Sequence, residues 1–463
     1  MDTLEQLRAG ALAGRRRLRL SCGLTEFPRE IFTLADTLET LDLSGNALSA
    51  LPDDLPRLRR LRILFGSNNR FAELPAVLGR CPQLSMAGFR ANQIERVPPE
   101  ALAPGLRALV LTDNRLAALP PEIGRCTRLQ KLMLAGNELA ALPPEMAGCT
   151  ALELLRVPAN RLQALPGWLL ALPRLAWLAF AGNPLPGAAP GPGTPKAPAM
   201  PEVFDAGAPL ACIAWDCLAL GPRLGEGASG VIHQALWRRA DGSALPVALK
   251  LFKGALTSDG LPRHEMAASL QAGAHPALIP VHGRLAGHPQ GASGLVMALV
   301  EPGWAPLAGP PSLDSCTRDV YDPALRLALP AALRLARAVA SAACQLHARG
   351  INHGDLYAHN ILWRPDGRAL LGDFGAASAF APDGGPLARA LERVEVRAFA
   401  CLLGELLARC ADDGDAQVAA GPAAARQALA RLQAGCAAPE ARARPRFAAV
   451  EAALALCARQ AGG

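Results

Sequence analysis

Four polar residues between positions 250 and 373 have the types and order that phosphoryl transfer requires. They are Lys250 in Val247-Ala248-Leu249-Lys250, Asp355 and Asn360 in His353-Gly354-Asp355-Leu356-Tyr357-Ala358-His359-Asn360, and Asp373 in Asp373-Phe374-Gly375. Moving a phosphoryl group from ATP calls for a cation on the α- and β-phosphates, two metal-binding side chains and a carboxylate that orients the attacking hydroxyl. The lysine is informative because the chain has 47 basic residues and only Lys131, Lys196, Lys250 and Lys253 among them are lysines. A compact ammonium suits a phosphate clamp that must also meet a carboxylate.

Upstream, Gly225-Glu226-Gly227-Ala228-Ser229-Gly230 followed by Ile232 fits a glycine-rich hairpin whose backbone amides can approach phosphates without side-chain obstruction. Lys250 lies 20 residues past Gly230, so the two signals support each other. This order and spacing resembles the protein kinase fold, over about residues 215 to 459. The resemblance implies ATP and magnesium as cofactors and assigns roles residue by residue. Gly225, Gly227 and Gly230 cover the phosphates, and Glu265 in His264-Glu265-Met266 pairs with Lys250 from the following helix. Leu295 to Glu301 is the strand and hinge that receive adenine, with Met297, Ala298 and Val300 offering backbone groups and Ile232, Ala248 and Leu362 enclosing the ring. Asp355 is the catalytic carboxylate, and Asn360 and Asp373 hold the metal. Glu395 through Leu407 resembles the central helix of the large lobe, and Arg444-Pro445 its late structural arginine.

The chain also departs from that pattern. Gly354 stands where an arginine usually reads a phosphorylated activation loop, so activity is expected not to depend on such phosphorylation. Tyr357, one of 2 tyrosines, sits where serine/threonine kinases carry a lysine near the γ-phosphate. Ala381-Pro382-Asp383 resembles a variant Ala-Pro-Glu motif, only ten residues after Asp373, which is too short for an ordinary peptide-docking platform.

The first half is an array. Asn46, Asn69, Asn92, Asn114, Asn137, Asn160 and Asn183 are spaced by 23, 23, 22, 23, 23 and 23 residues. Leu129-x-x-Leu132-x-Leu134-x-x-Asn137-x-Leu139-x-x-Leu142-Pro143 is a clear copy of text that resembles the leucine-rich repeat, over about residues 18 to 185, with a degenerate first copy around Leu18 to Pro28. Alternating leucines describe a short strand stacked in parallel on the next, and each asparagine can bond the backbone where the chain leaves the strand. By register, the outward rows contain an apolar stripe of Ile63, Phe65, Met86, Val110, Met133, Leu154 and Trp177, expected to be a protein-binding face on the concave side, the alternative being that it packs on the kinase-like part of the same chain.

Length and composition bound the rest. At 463 residues with 51% hydrophobic content, two or three folded domains are expected. The expected organisation is an α/β repeat solenoid over 1–185, a Pro/Gly/Ala-rich linker over 186–209, and an α+β two-lobed kinase-like fold over 210–463, its small lobe about 215–301 and large lobe about 302–459. The net charge of +7 comes from scattered arginines, which argues against a nucleic-acid partner. The N-terminus lacks the apolar core of a secretory signal, and no apolar stretch approaches the roughly 20 residues needed to span a bilayer. Twelve cysteines without C-x-x-C pairs argue against a zinc site or disulfide framework, and a cytoplasmic location is expected. The pattern is similar to bacterial-type leucine-rich repeat serine/threonine kinases, which implies a protein substrate, the chain itself included. A small-molecule kinase of the aminoglycoside or choline type and a pseudokinase scaffold remain open.

Overall fold

The computed structural model describes residues 2–185, 211–227, 229–254, 256–257, 259–410 and 420–462. They fall into two compact units: Met1–Leu175 with Asn183–Pro186, and Ala176–Gly182 with Gly187–Gly463. The expected linker at 186–209 lies outside the described residues. Ala176–Gly182, the strand text of the last repeat, clusters with the second unit.

In the first unit seven three-residue strands stack in parallel: β1 (Arg17–Arg19), β2 (Thr40–Asp42), β3 (Ile63–Phe65), β4 (Met86–Gly88), β5 (Ala108–Val110), β6 (Lys131–Met133) and β7 (Leu154–Arg156). The central residue of each, Leu18, Leu41, Leu64, Ala87, Leu109, Leu132 and Leu155, is buried. A buried leucine contributes roughly 1.5–3 kcal/mol, so the repeated position builds a continuous core from short copies. After each strand an asparagine closes the turn. Asn137 Nδ2 donates to the carbonyls of Leu111 (2.9 Å) and Leu134 (3.0 Å), and its Oδ1 accepts from Leu116 N–H (3.0 Å). Asn160 and Asn183 repeat the pattern one and two copies on. The Leu-Pro steps at Pro75, Pro120 and Pro143 lead into short 3-10 turns on the return path. Cys81, Cys126 and Cys149 are buried free thiols, and burial pushes Cys81 up to about 11 and Cys149 up to about 12.

Strand registers align Ile63 with Met86 and Lys131 with Leu154, and Phe65 with Gly88 and Val110 with Met133. The stripe is not an open apolar face along its whole length. Ile63, Phe65 and Val110 are half-buried, Phe65 lying over Gly88, where a Cβ would come within 2.7 Å of its ring. Met86, Met133, Leu154 and Trp177 are buried. Their expected role as partner contacts is therefore corrected: a side chain already shielded from water has little surface left to offer.

The second unit opens with β8 (Trp177–Ala179) and a six-stranded sheet in the order β10-β11-β12-β14-β13-β9. Its strands are β9 (Ala211–Ala214), β10 (Leu218–Glu226), β11 (Gly230–Arg238), β12 (Ala244–Phe252), β13 (Val281–Ala286) and β14 (Gly294–Ala298). Ile213, Leu218, Ala235, Val247, Leu249, Leu285 and Val296 form its buried core. The helix Pro262–Ala272 follows β12. Further on come the helices Leu329–Ala348, Pro386–Leu407, Ala420–Cys436 and Phe447–Gly462. Two small ladders accompany them: Ile361–Trp363 with Ala369–Leu371, and Ile351–Asn352 with Ser378–Ala379. Among the described residues no helix is long and apolar enough to cross a membrane.

Candidate active site

β10 and β11 form an antiparallel hairpin around Gly225–Gly230, closed by Gly227 N–H to the Gly230 carbonyl at 2.9 Å. Gly225 and Gly227 face open space, and a Cβ on Gly230 would sit 2.5 Å from the Leu251 carbonyl oxygen. Lys250 lies on β12 opposite Ile232 and Leu295, and its ammonium pairs with Glu265 on the Pro262–Ala272 helix. Glu265 is buried. Burial raises its carboxyl, as does the nearby Asp373, while Lys250 opposes them. Ala248 faces Met297 across the β12–β14 ladder; Met297, Ala298 and Val300 are half-buried at the end of β14, and Leu362 sits half-buried on its own short strand.

The His353–Asn360 loop is held from several directions. Asn360 Nδ2 donates to the Asp355 carbonyl (2.9 Å) and to Asp355 Oδ2 (2.8 Å), leaving its amide oxygen as an acceptor. His353 Nε2 lies 3.0 Å from the Gly372 carbonyl, which can only accept, so Nε2 carries the proton and Nδ1 accepts Asp355 N–H. The imidazole thus ties the Asp355 loop to the residue before Asp373. Asp373 itself has φ +54°, a strained left-handed conformation for a residue with a Cβ, and its exposed carboxylate accepts from Gly375 N–H at 3.0 Å.

Beneath this loop Glu395 is 1% exposed and takes three donors: Gly354 N–H (2.7 Å), His353 N–H (3.2 Å) and His347 Nε2 (2.6 Å). Burial pushes its carboxyl up, but the His347 bond, the two neighbouring imidazoles and the Gly354 amide outweigh it and hold the group low. Oxygen donors from Asn360 and Asp373 suit magnesium, which keeps few protein ligands and completes its shell with phosphates. No cluster of three His, Cys, Asp or Glu ligands gathers among the described residues.

A family model described as protein tyrosine and serine/threonine kinase matches residues 218–400, and the Leucine Rich Repeat model matches residues 37–81. The chain joins leucine-rich repeats to a protein kinase domain. It is similar to the human non-receptor tyrosine-protein kinase TNK1, with 32% identity over 163 residues, 34% of this chain and 22% of that protein. It is also similar to the human PH domain leucine-rich repeat-containing protein phosphatase 1, with 34% identity over 90 residues, 19% of this chain and 5% of that protein. The chain thus spans less than a quarter of either relative.

Past Asp373 the kinase domain runs through a short segment into its next helix. Ser378–Ala379 pairs with Ile351–Asn352, and the Pro386–Leu407 helix begins soon after, with its proline at the first position. Asp383 is exposed and accepts from Gly385 N–H at 2.7 Å, closing the turn before that helix. Arg444 is 2% exposed and donates to the carbonyls of Ala438 (2.8 Å) and Arg393 (3.2 Å). Ala381-Pro382-Asp383 thus forms the turn that leads into the Pro386–Leu407 helix.

Gly354 has φ +73°, and a Cβ there would lie 2.7 Å from the Ala376 carbonyl oxygen and 2.8 Å from that of Leu178. No arginine fits, because the Ala176–Gly182 segment already occupies that side of the loop. The Trp177 indole stacks on Tyr357 with centroids 4.1 Å apart and planes 7° apart, and Nε1 donates to the Leu356 carbonyl at 3.0 Å. Trp177, named from sequence as a partner contact, instead packs against the loop that carries Asp355.

Two contributors gave no signal in the sequence. Asp319, from an irregular stretch, accepts from Ala358 N–H (2.6 Å) and bonds His359 Nδ1 (2.6 Å), fixing the turn that presents Asn360. Burial works against a charged His359 ring, but Asp319 and the nearby Asp355 and Asp373 raise its pKa overall. His264, next to Glu265, is buried with no hydrogen bond to either ring nitrogen, and burial, aided by Arg263, pushes it down to about 4.

That shift predicts an acid sensitivity. The unfolded imidazole titrates near the ordinary 6.5, whereas burial pushes the folded one down to about 4, so the unfolded chain binds the extra proton between them. Stability is full above that window and falls as pH drops through it. Thermal melts of His264→Leu should lose this part of the acid sensitivity while changing little at pH 8. An unchanged pH profile would contradict the assignment.

Proposed function

We propose that the chain transfers the γ-phosphate of ATP, with magnesium, to serine or threonine hydroxyls of proteins, itself included. The observation that supports it most is the convergence of the Lys250–Glu265 ion pair, the bonded Asp355–Asn360 pair and the exposed Asp373 carboxylate in one unit. Lys250 would neutralise the α- and β-phosphates, held in place by Glu265. Asp355 would accept the hydroxyl proton, oriented by Asn360. Magnesium on Asn360 and Asp373 would supply charge neutralisation at the phosphates. The glycine-rich hairpin offers amides over the nucleotide, and Ala248, Ile232, Leu362 and the Met297–Val300 stretch would receive adenine. The half-buried Ile63, Phe65 and Val110 are the part of the stripe left for a protein partner.

Acceptor class is tested by incubating the protein with labelled ATP and magnesium, then hydrolysing it for phosphoamino-acid analysis, with peptides and small alcohols as added acceptors. Label on phosphoserine or phosphothreonine is expected. Label confined to phosphotyrosine would overturn the serine/threonine assignment. Label on the alcohols alone would favour a small-molecule kinase, a reading that the short segment between Asp373 and Pro386 makes worth the arm.

Control by activation-loop phosphorylation is not expected, since Gly354 offers no charged partner for a phosphate. Phosphatase treatment should leave the rate unchanged. A large loss restored by preincubation with ATP would contradict this.

A further inference from the structure

We propose that Ala176–Gly182 is a built-in positioning element of the kinase centre, in which Trp177 fixes the loop that carries Asp355 and Asn360. The inference rests on reading Asp355 as the catalytic carboxylate. It starts from where this one segment bonds. Trp177 donates to the carbonyl of Leu356, the residue after Asp355, and covers the Tyr357 ring. The Leu178 carbonyl accepts from Asn352 Nδ2 at 2.8 Å, and Phe180 N–H donates to Ser378 Oγ at 2.9 Å. Gly182, at φ +76°, lies so close to His264 that a Cβ would come within 2.5 Å of its ring.

One stretch of chain thus touches three elements: the loop with Asp355, the segment after Asp373, and the helix with Glu265. These must keep a common geometry for transfer, and a misplacement of about 1 Å can cost about 100-fold in rate. The contacts are of a kind that fixes position. Trp177 is 1% exposed, so its N–H and the Leu356 carbonyl have no water to turn to if the bond breaks. The Arg318 guanidinium lies 5.0 Å from its ring centroid and adds a further constraint.

The contacts also leave the chemistry open, because Asp355 is half-buried and Asp373 exposed beside them. That favours positioning over blockage. It gives Gly354 a reason as well. Where an arginine and a phosphate could order the loop reversibly, backbone and indole hydrogen bonds from the repeat text order it permanently, and the close Leu178 carbonyl requires a residue without a side chain.

The test uses the full chain with Trp177→Ala and with Trp177→Phe, which keeps the stacked ring and loses only the donor. Two readouts are taken: amide hydrogen exchange over 353–360 compared with β12, and kcat against KM for ATP. Trp177→Ala should speed exchange in 353–360 about tenfold or more with β12 unchanged, lower kcat by about 10- to 100-fold, and leave KM for ATP within about twofold. Trp177→Phe should fall between it and wild type in both readouts. Unchanged loop exchange in both variants would overturn the proposal. So would a raised kcat, which would mark the segment as inhibitory, or equal acceleration in β12, which would mark Trp177 as a general packing residue. If the wild type transfers no phosphate, the functional reading fails, and exchange still decides this one.

Discussion

Replacing Lys250 by methionine should lower phosphoryl transfer by about two or more orders of magnitude, the scale expected when a charge-stabilising group is removed from a preorganised site. Methionine keeps the length and apolar stem of the side chain on β12, so the sheet core of Val247, Leu249 and Val296 is untouched. The orphaned Glu265 does not force unfolding, because burial already raises its pKa and it can take up a proton. Asp373→Asn should cause a comparable loss by weakening metal binding, again with the fold retained. Steady-state rates alongside melting curves check both, and wild-type rates in both variants would remove these residues from the centre.

The second large effect is expected at Glu395, which touches no substrate. Its carboxylate receives the amides of His353 and Gly354 and the ring of His347, all buried. Glu395→Ala leaves three buried donors without acceptors, at a cost of about 3 kcal/mol or more. Glu395→Gln is nearly isosteric but turns an NH2 group toward those donors. Both should unfold at lower denaturant, and Glu395→Gln should also lose at least about tenfold in kcat because the loop carrying Asp355 loses its foundation. Wild-type stability in Glu395→Ala would contradict the anchoring role.

These two predictions mark what the sequence could and could not reveal. Lys250, Asp355, Asn360 and Asp373 were legible because their chemistry restricts residue type and their order is distinctive. The asparagine ladder was legible because a strict spacing can be satisfied only by stacked, equivalent turns. Glu265 was harder, since a helical glutamate usually faces water; its pairing depends on the approach of a helix to β12. Glu395 was legible as part of a helix but not as the acceptor for amides about forty residues away. Asp319 lies in text without periodicity, so nothing local announced its bond to His359.

Trp177 shows the limit most clearly. Its register matches that of Ile63 and Leu154, and period-2 alternation identifies the face of a strand without identifying what covers it. Residues at the same repeat position can therefore have different surroundings: Ile63 is half-buried, whereas Trp177 is buried against the Tyr357 ring. Gly354 was read as standing in place of an arginine, a loss visible only against the kinase pattern. Its positive φ and the nearby Leu178 carbonyl, which explain that loss, belong to tertiary structure.

A kinase centred on Asp355 is tested most directly by measuring labelled phosphate transfer from ATP for the full-length wild type and Asp355→Asn side by side, with ATP binding and melting temperature recorded for both. Wild type should label protein, and the variant should label it at least about 100-fold less while binding ATP and melting as the wild type does. Equal labelling by the variant, or ATP bound by the wild type with no transfer to any acceptor, would contradict it.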